Sequence, residues 1–437
     1  MGATRGRLST REKAVADVAG AVLRIGVVGG SVAGCAMAIA GARAGADVTV
    51  YERSDGALED RGFGIVIPPA LHQELVAAGY LEPGMPTAPV PSRVWLTREH
   101  GRPAARELAR QESAVTPCHW GLLWRTLRAN TGAVRYHRGR PVTEVLRRTA
   151  GGAVIRTADA EDVYDIVVGA DGPRSVTREA LAPGVRPAQA GYAVWRGTLP
   201  LAALAGHPRP LELLRGAWLT LGFRGGHGVF YLIPGAAPGS RLLAYAVYGP
   251  PPPASWAAGR AAYVRHIAEE HFPADWADIV GRGEHTSMAY HPVTDFHAPL
   301  AADPPFLLAG DAASITRPHT ASGATKALQD ALCLERVLRG ASSPADALRR
   351  YAAERTPEWA RLVALGRRLG HAMVERTPDW AAMGAAEVET WCRATLDGAD
   401  SYLYGAAQGL RARPAGGLEG AGRAPTGKPV DGGAGAA

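Results

Sequence analysis

The apolar residues of this chain change their spacing at definite places, and those changes outline its elements. Leu23 to Val28 is a short apolar run ending in glycines, and Gly34 to Gly45 is alanine-rich with helical spacing, so strand, turn and helix are predicted in that order. Asp47 to Tyr51 alternates and reads as a second strand. From Ala133 to Gly169 the alternating runs "AVRYH", "AVIRT" and "DIVVGAD" predict a small meander that returns to the main sheet. Between Gly191 and Gly249 Trp, Tyr, Phe, Val and Leu alternate with small residues, the pattern of an antiparallel sheet. "PFLLAG", Pro305 to Gly310, reads as a buried strand, and Ala324 to Leu338 as a helix with Leu328, Leu332 and Val337 among its apolar positions. Further helices are predicted over Ala345 to Gly370 and Glu387 to Thr395, and no period of solenoid length recurs.

Composition narrows the class. The chain has 437 residues, 47% hydrophobic and 20% charged, enough for a sizeable core in a globular protein. Its net charge of +7 comes from scattered arginines, without the run of like charges that marks a nucleic-acid or membrane arm, so no nucleic-acid partner is expected. The four cysteines include no CxxC pair, which points away from a zinc knuckle or disulfide framework and toward a reducing cytoplasm; no metal site is expected. No run of about eighteen uncharged apolar residues predicts a membrane helix. Residues 1–20 mix charges without an apolar centre and read as a loose leader, and residues 413–437 have too little apolar surface to order themselves.

The first glycine turn carries the earliest chemical signal. A dinucleotide-binding turn uses one glycine for tightness, a second for close approach of the pyrophosphate and a third for packing of helix on strand. Gly29 and Gly34 occupy the outer places, Gly30 lies between them, and Ser31 stands where the middle glycine is usual. A serine there is small enough to admit a phosphate and adds a hydroxyl donor, while the helix aims its free N–H groups and positive dipole end at the same place. Glu52 ends the second strand, at the distance expected of a carboxylate that pairs with ribose hydroxyls.

Two further segments follow in order, "DIVVGADGPRSVTR" (Asp165 to Arg178) and "PPFLLAGDAASITRPHTASGATKALQDA" (Pro304 to Ala331). With these three motifs the chain, over about residues 22 to 370, resembles the single-component flavoprotein aromatic hydroxylases, the family that includes para-hydroxybenzoate hydroxylase. "GGSVAG" and "RPHTASG" look most like the 2,6-dihydroxypyridine hydroxylase branch. The resemblance implies an α/β fold, with a Rossmann-like FAD-binding domain, an interleaved, mostly antiparallel substrate sheet and C-terminal helices. Its expected bounds are 21–85, 100–185 and 286–344 for the FAD domain, 86–99 and 186–285 for the sheet domain, and 345–412 for the helices.

The resemblance also implies roles. Gly29, Gly30, Ser31, Gly34, Glu52 and Arg53 would hold the ADP half of FAD, Arg61 would lie near the flavin edge, Asp171 with Gly172 near the pyrophosphate, and Asp311 at the ribityl hydroxyls. Backbone donors of Gly323 and Ala324 would face the reduced ring. Trp120 stands where many relatives have Arg or Gln against FAD. NADPH or NADH would reduce the flavin, and a C(4a)-hydroperoxide would pass one oxygen atom from O2 to a small electron-rich aromatic or N-heteroaromatic substrate. Such chemistry needs no acid–base triad. Arg317, Pro318 and His319 are the candidates beside the reacting atoms, and Trp195, Arg196, His227, Tyr231, Tyr245 and Tyr248 those for the pocket, of which alternation lets about half face a ligand. For His227 a turn position in water and a proton acceptor for a phenolic group are both open, as are substrate and loop roles for His319. Epoxidation or oxidative rearrangement in secondary metabolism, and a non-catalytic flavin-binding sensor or carrier, are the alternative functions; a monomer or homodimer fits either. No second strand–glycine–helix unit and no WxWxIP motif occur, which sets aside two-domain flavin reductases and tryptophan halogenases.

Overall fold

A computed structural model describes residues 22–59, 62–283 and 288–396, together with the backbone of 411–412. The expected leader 1–20, Arg61 and the expected disordered tail 413–437 lie outside the described residues. The chain begins with β1 (Arg24–Val28), α1 (Val32–Arg43), β2 (Asp47–Tyr51), β3 (Gly64–Ile67), α2 (Pro69–Ala77), β4 (Val90–Arg98), β5 (Ala105–His119) and α3 (Trp120–Ala129). Short strands follow: β6 (Arg135–His137), β7 (Glu144–Arg147), β8 (Ala153–Arg156), β9 (Glu161–Tyr164) and β10 (Ile166–Gly169), then α4 (Val176–Leu181). The middle supplies β11 (Ala188–Pro200), α5 (Pro208–Gly216), β12 (Ala217–Phe223), β13 (Gly226–Pro234), β14 (Arg241–Gly249), α6 (Gly259–His271), α7 (Ala274–Arg282) and β15 (Ala289–His297). Last come β16 (Ala302–Asp303), β17 (Phe306–Leu308), β18 (Ser314–Ile315), α8 (Gly323–Gly340), α9 (Pro344–Gly370) with a π-helical turn at His371–Glu375, α10 (Ala385–Leu396) and β19 (Arg411–Ala412).

Two large sheets organise these elements. The first has six strands in the order β16-β17-β10-β1-β2-β6, parallel except for β16. Its strands are apolar on both faces because α1 and α8 cover one side while the small sheet β7-β8-β9 covers part of the other. The second has ten strands in the order β18-β15-β11-β14-β13-β12-β4-β5-β19, with β3 on β5. It is antiparallel apart from the β12–β4 pair. Helices α5, α6 and α7 bury one of its faces through Leu213, Leu214, Val264, Ile267, Trp276 and Ile279. The end of α9 and α10 cover part of the other through Leu365, Leu369 and Val388.

The expected boundaries shift at two places. β4 and β5 form one hairpin of the large sheet, so a boundary at residue 100 would cut between hydrogen-bonded strands. β15 likewise pairs with β11, and residues 289–297 belong with the large sheet rather than with the parallel one. β4 also pairs with β12 and β15 with β11, so partners far along the chain decide where these strands go.

Candidate active site

The glycine turn is held by contacts that exclude larger residues. Gly29 has φ +97°, and a Cβ on it would meet the Ala170 carbonyl oxygen at 2.4 Å. A Cβ on Gly30 would lie 2.1 Å from the Tyr136 hydroxyl, and one on Gly34 only 1.8 Å from the Gly29 carbonyl oxygen. Ser31, by contrast, has φ −76° and ψ −166°, an extended conformation open to any residue, so the turn keeps its shape with a side chain there. Ser31 is the N-cap of α1, its hydroxyl makes no capping bond, and no acidic residue sits in the first turn. Glu52 is buried at the end of β2, where Oε2 accepts from Gly30 N at 2.7 Å and Oε1 from Ser54 N at 2.8 Å. Arg53 follows on the surface, and Trp120 flanks the same cleft with Gly62 packed on its indole.

Past the end of β10, Asp171 accepts from Val176 N, the first residue of α4, at 2.8 Å. Its Oδ1 is buried with no hydrogen-bond partner among the described residues, and burial holds its carboxyl above the usual carboxylate range. Asp311 follows β17 and presents its carboxylate half-exposed, held by Nζ of the fully buried Lys326 at 2.9 Å. Behind it, Gly310 N donates to Asp330 Oδ2 at 3.0 Å, while Asp330 Oδ1 takes Arg355 Nε at 2.8 Å and Trp359 Nε1 at 3.1 Å.

The Pro318–Thr320 turn leads into α8, whose first residues Gly323 and Ala324 line the cleft. Arg317 turns away from it to pair with Asp295 at 2.8 Å and with Glu375, so its side chain fastens the loop to β15 and the π turn.

At the far end, alternation sorts the aromatic candidates. His227, Val229 and Tyr231 of β13, Ala246 and Tyr248 of β14 and Arg196 of β11 face the cleft. Trp195 and Tyr245 point the other way: Trp195 donates to Arg260 O at 2.9 Å and packs on Tyr263 and Tyr290, and Tyr245 lies in the core under α6 and α7. These two therefore leave the pocket set, because a step of one residue on a strand reverses the face. Arg196 donates to Gly64 O at 3.0 Å, and burial pushes the Tyr231 phenol up to about 12.

His227 is not a water-exposed turn residue. β13 begins at Gly226, and His227 is 1% exposed with its ring stacked on Tyr248 at 4.5 Å and 5.1 Å from His319. Its Nδ1 lies 3.3 Å from the Met373 carbonyl. His319 Nε2 is 2.6 Å from the Tyr192 hydroxyl. Burial, and then the Arg93 guanidinium, push His227 down to about 3; burial, His227 and Arg317 hold His319 well below its ordinary value.

These groups border one cleft of about 690 Å³ that runs from Gly29 and Glu52 past Asp171, Asp311 and Gly323 to Trp218, His227 and Tyr231. That volume suits a cofactor and a small ligand together. The residues present fit FAD: a glycine turn packed too tightly for side chains brings the start of α1 to the cleft, the N-terminus of α8 opens on it as well, and a buried carboxylate oxygen of Asp171 has no donor among the described residues. Sequence reasoning missed Trp218, Val115, Tyr192 and the Asp330 network, since each reaches the site through pairing or packing with distant segments. Among the described residues no cluster of His, Cys, Asp and Glu could hold a metal ion, and no helix is long and apolar enough to cross a membrane.

Residues 22–365 match a protein family described as FAD binding domain. The chain is 29% identical over 347 residues to 2,6-dihydroxypyridine 3-monooxygenase of Paenarthrobacter nicotinovorans, covering 72% of this chain and 82% of that protein. It is 30% identical over 367 residues to a 3-amino-4-hydroxybenzoate 2-monooxygenase of Streptomyces platensis, covering 80% and 88%. In fold it resembles the solved 2,6-dihydroxypyridine-3-hydroxylase from Arthrobacter nicotinovorans, with a TM-score of 0.71 and 23% identity over 82% of this chain and 95% of that one. The glycine turn, the matched span and these relatives agree, and the chain belongs to the FAD-binding aromatic hydroxylase family as an FAD-dependent monooxygenase.

Proposed function

We propose that this monooxygenase takes electrons from NADPH or NADH and uses O2 to hydroxylate a small, electron-rich aromatic or N-heteroaromatic compound. The observation that carries the reading is the continuity of the cleft from a dinucleotide-type turn to a pocket walled by aromatic and imidazole rings. Both curated relatives are named for small hydroxylated rings, which supports the same substrate class. When bound, FAD supplies the redox chemistry, receiving two electrons from the nicotinamide and activating O2 for transfer of one oxygen atom.

The chain's own residues bind, orient and shield. We assign the pyrophosphate to the N-terminus of α1 with Gly29, Gly30, Ser31 and Gly34, the ribose to Glu52 with Arg53 beside it, and the ribityl chain to Asp311 fixed by Lys326. Asp171 offers Oδ1, unpaired among the described residues, to the cofactor's middle. The first N–H groups of α8, at Gly323 and Ala324, stabilise negative charge on the ring. Pro318 stiffens the loop, Arg317 anchors it, and His319 holds a proton position with Tyr192 at the pocket's edge. Val66, Val115, Trp218, Val229 and Ala246 exclude water. The four cysteines are buried free thiols, which supports a reducing, cytoplasmic setting.

The test is the visible spectrum of the purified protein, followed by anaerobic NADPH or NADH with and without 2,6-dihydroxypyridine and 3-amino-4-hydroxybenzoate, then oxygen uptake and product mass. A flavin spectrum that bleaches faster with an aromatic probe, and a product heavier by one oxygen atom, is the expected result. Tight flavin without ligand-stimulated nicotinamide oxidation would replace the enzyme by a carrier.

A further inference from the structure

In the π turn that ends α9, the carbonyl of Met373 meets His227 Nδ1 at 3.3 Å. A carbonyl oxygen can only accept, so the hydrogen of this contact sits on His227 Nδ1. In a neutral imidazole the other nitrogen, Nε2, then carries a bare lone pair. Three features keep the ring neutral and in place. It is almost wholly buried, it is stacked within 13° of the Tyr248 ring plane, and a buried cation lies nearby. That cation is Arg93, fully buried, its guanidinium 3.6 Å from the Trp95 ring centroid and 4.3 Å from that of Trp218, with Nε and one terminal nitrogen on Thr220 Oγ1. Trp218 and His227 line the same cleft, as do Val229 and Ala246.

We propose that His227 Nε2 is an acceptor-only reader of the substrate, selecting rings that present an O–H or N–H donor at that point over ethers and over ring anions. The inference rests on the hydroxylase reading of the cleft. A ligand with a donor satisfies the lone pair; an ether leaves it buried and unpaired, and a phenolate or carboxylate sets one lone pair against another. Selection by hydrogen bonding in a pocket of this kind is stronger than selection by shape, because the group left unmatched belongs to the protein and has no water to turn to. Tyr248 and Met373 fix the ring from two sides, so Nε2 cannot swing to another partner without breaking the stack and the Nδ1–H bond.

The experiment uses the FAD-loaded protein and follows the change in flavin absorbance on titration with 2,6-dihydroxypyridine, 3-amino-4-hydroxybenzoate and their O-methyl ethers. At least one hydroxylated probe is expected to bind about ten-fold or more tightly than its ether. In H227Q the side-chain oxygen reaches toward the Nε2 position, and preference for the hydroxylated probe is expected to persist. In H227N the amide N–H keeps the bond to Met373 but nothing occupies the Nε2 position, and the preference is expected to fall to near one-fold. A merely structural histidine gives the reverse, with Asn rescuing and Gln failing, and overturns the proposal. Equal affinities across every pair in the wild-type protein overturn it without recourse to a variant, while the flavin spectrum and nicotinamide oxidation leave the hydroxylase reading intact. A wild-type protein that takes up no FAD would remove that reading and this one together.

Discussion

The smallest distance that governs the site is the 1.8 Å between a Cβ built on Gly34 and the Gly29 carbonyl oxygen. No rotamer relieves that overlap, since both atoms are tied to backbone, so Gly34→Ala must open the turn. We expect it to be purified without flavin and to lose about 1–3 kcal/mol of stability, the usual cost of overpacking; a yellow, fully stable protein would mean that the turn is plastic. Ser31→Ala should keep its flavin with affinity at most about ten-fold weaker, because one hydroxyl hydrogen bond is at stake and the backbone there is extended. Flavin fluorescence during dialysis measures both. This part of the site was legible in the sequence because a glycine turn is a local device: Gly29, Gly34 and Glu52 stand in one segment and their spacing states the geometry. Asp171 and Asp311 were expected only through the resemblance of their motifs to a known family, since no spacing rule ties them to the turn. Tyr192 was not, since its hydroxyl reaches His319 across 127 positions of the chain.

At the scale of elements, the period of a strand was readable but its phase was not. The ten-stranded sheet is covered on both faces, by α5 to α7 on one side and by the cleft, α9 and α10 on the other, so apolar residues occupy both and alternation gives no sign of which face holds the ligand. Tyr245 and Tyr248 of β14 show the result. Tyr248 stacks on His227 at the cleft, whereas the Tyr245 hydroxyl is buried in the core with no partner among the described residues. Removing that hydroxyl abolishes an unsatisfied donor, so Tyr245→Phe is expected to raise stability by about 1 kcal/mol and leave turnover unchanged, read from the unfolding midpoint and nicotinamide oxidation. A less stable protein would show that the hydroxyl has a partner after all. The Asp330 knot is the opposite case. Asp330 lies on α8, Arg355 and Trp359 on α9, and the Gly310 amide beyond β17, so one carboxylate joins the helices to the turn that carries Asp311. Asp330→Asn removes the carboxylate charge that Arg355 Nε meets in the core and is expected to cost about 3–5 kcal/mol, with FAD released at lower denaturant than in the wild type. Coincident protein and flavin transitions at the wild-type midpoint would contradict that role.

Across the whole molecule, the large sheet, the loop that enters α8 and the turn after α9 meet at a pair of buried histidines. His227 comes from the large sheet, His319 from the loop that enters α8, and the Met373 carbonyl from the turn after α9. Both imidazoles are held below their ordinary value of 6.5, His227 to about 3, because burial disfavours the charged form. In the unfolded chain they would titrate near that ordinary value. Above it both states are neutral and the stability is fully present; as the pH falls below it the unfolded chain takes up protons that the folded one refuses, and stability declines until His227 itself protonates near 3. His227 contributes about 1.4 kcal/mol per pH unit over that window, and His319 acts in the same sense. Partial burial lowers His72, His119 and His291 as well and adds in the same sense, whereas Asp171, raised by burial, opposes it as a single group. Denaturant midpoints measured between about pH 4 and pH 8 should therefore slope steeply on the acid side in the wild type and less so in H227Q, which has no imidazole to protonate. Since the pair sits where the large sheet, the loop before α8 and the turn after α9 touch, its protonation should loosen the substrate end and the helical cap together, and flavin release should follow the same acid limb. Parallel limbs for the two proteins would place the acid sensitivity elsewhere and leave His227 as a ligand reader alone.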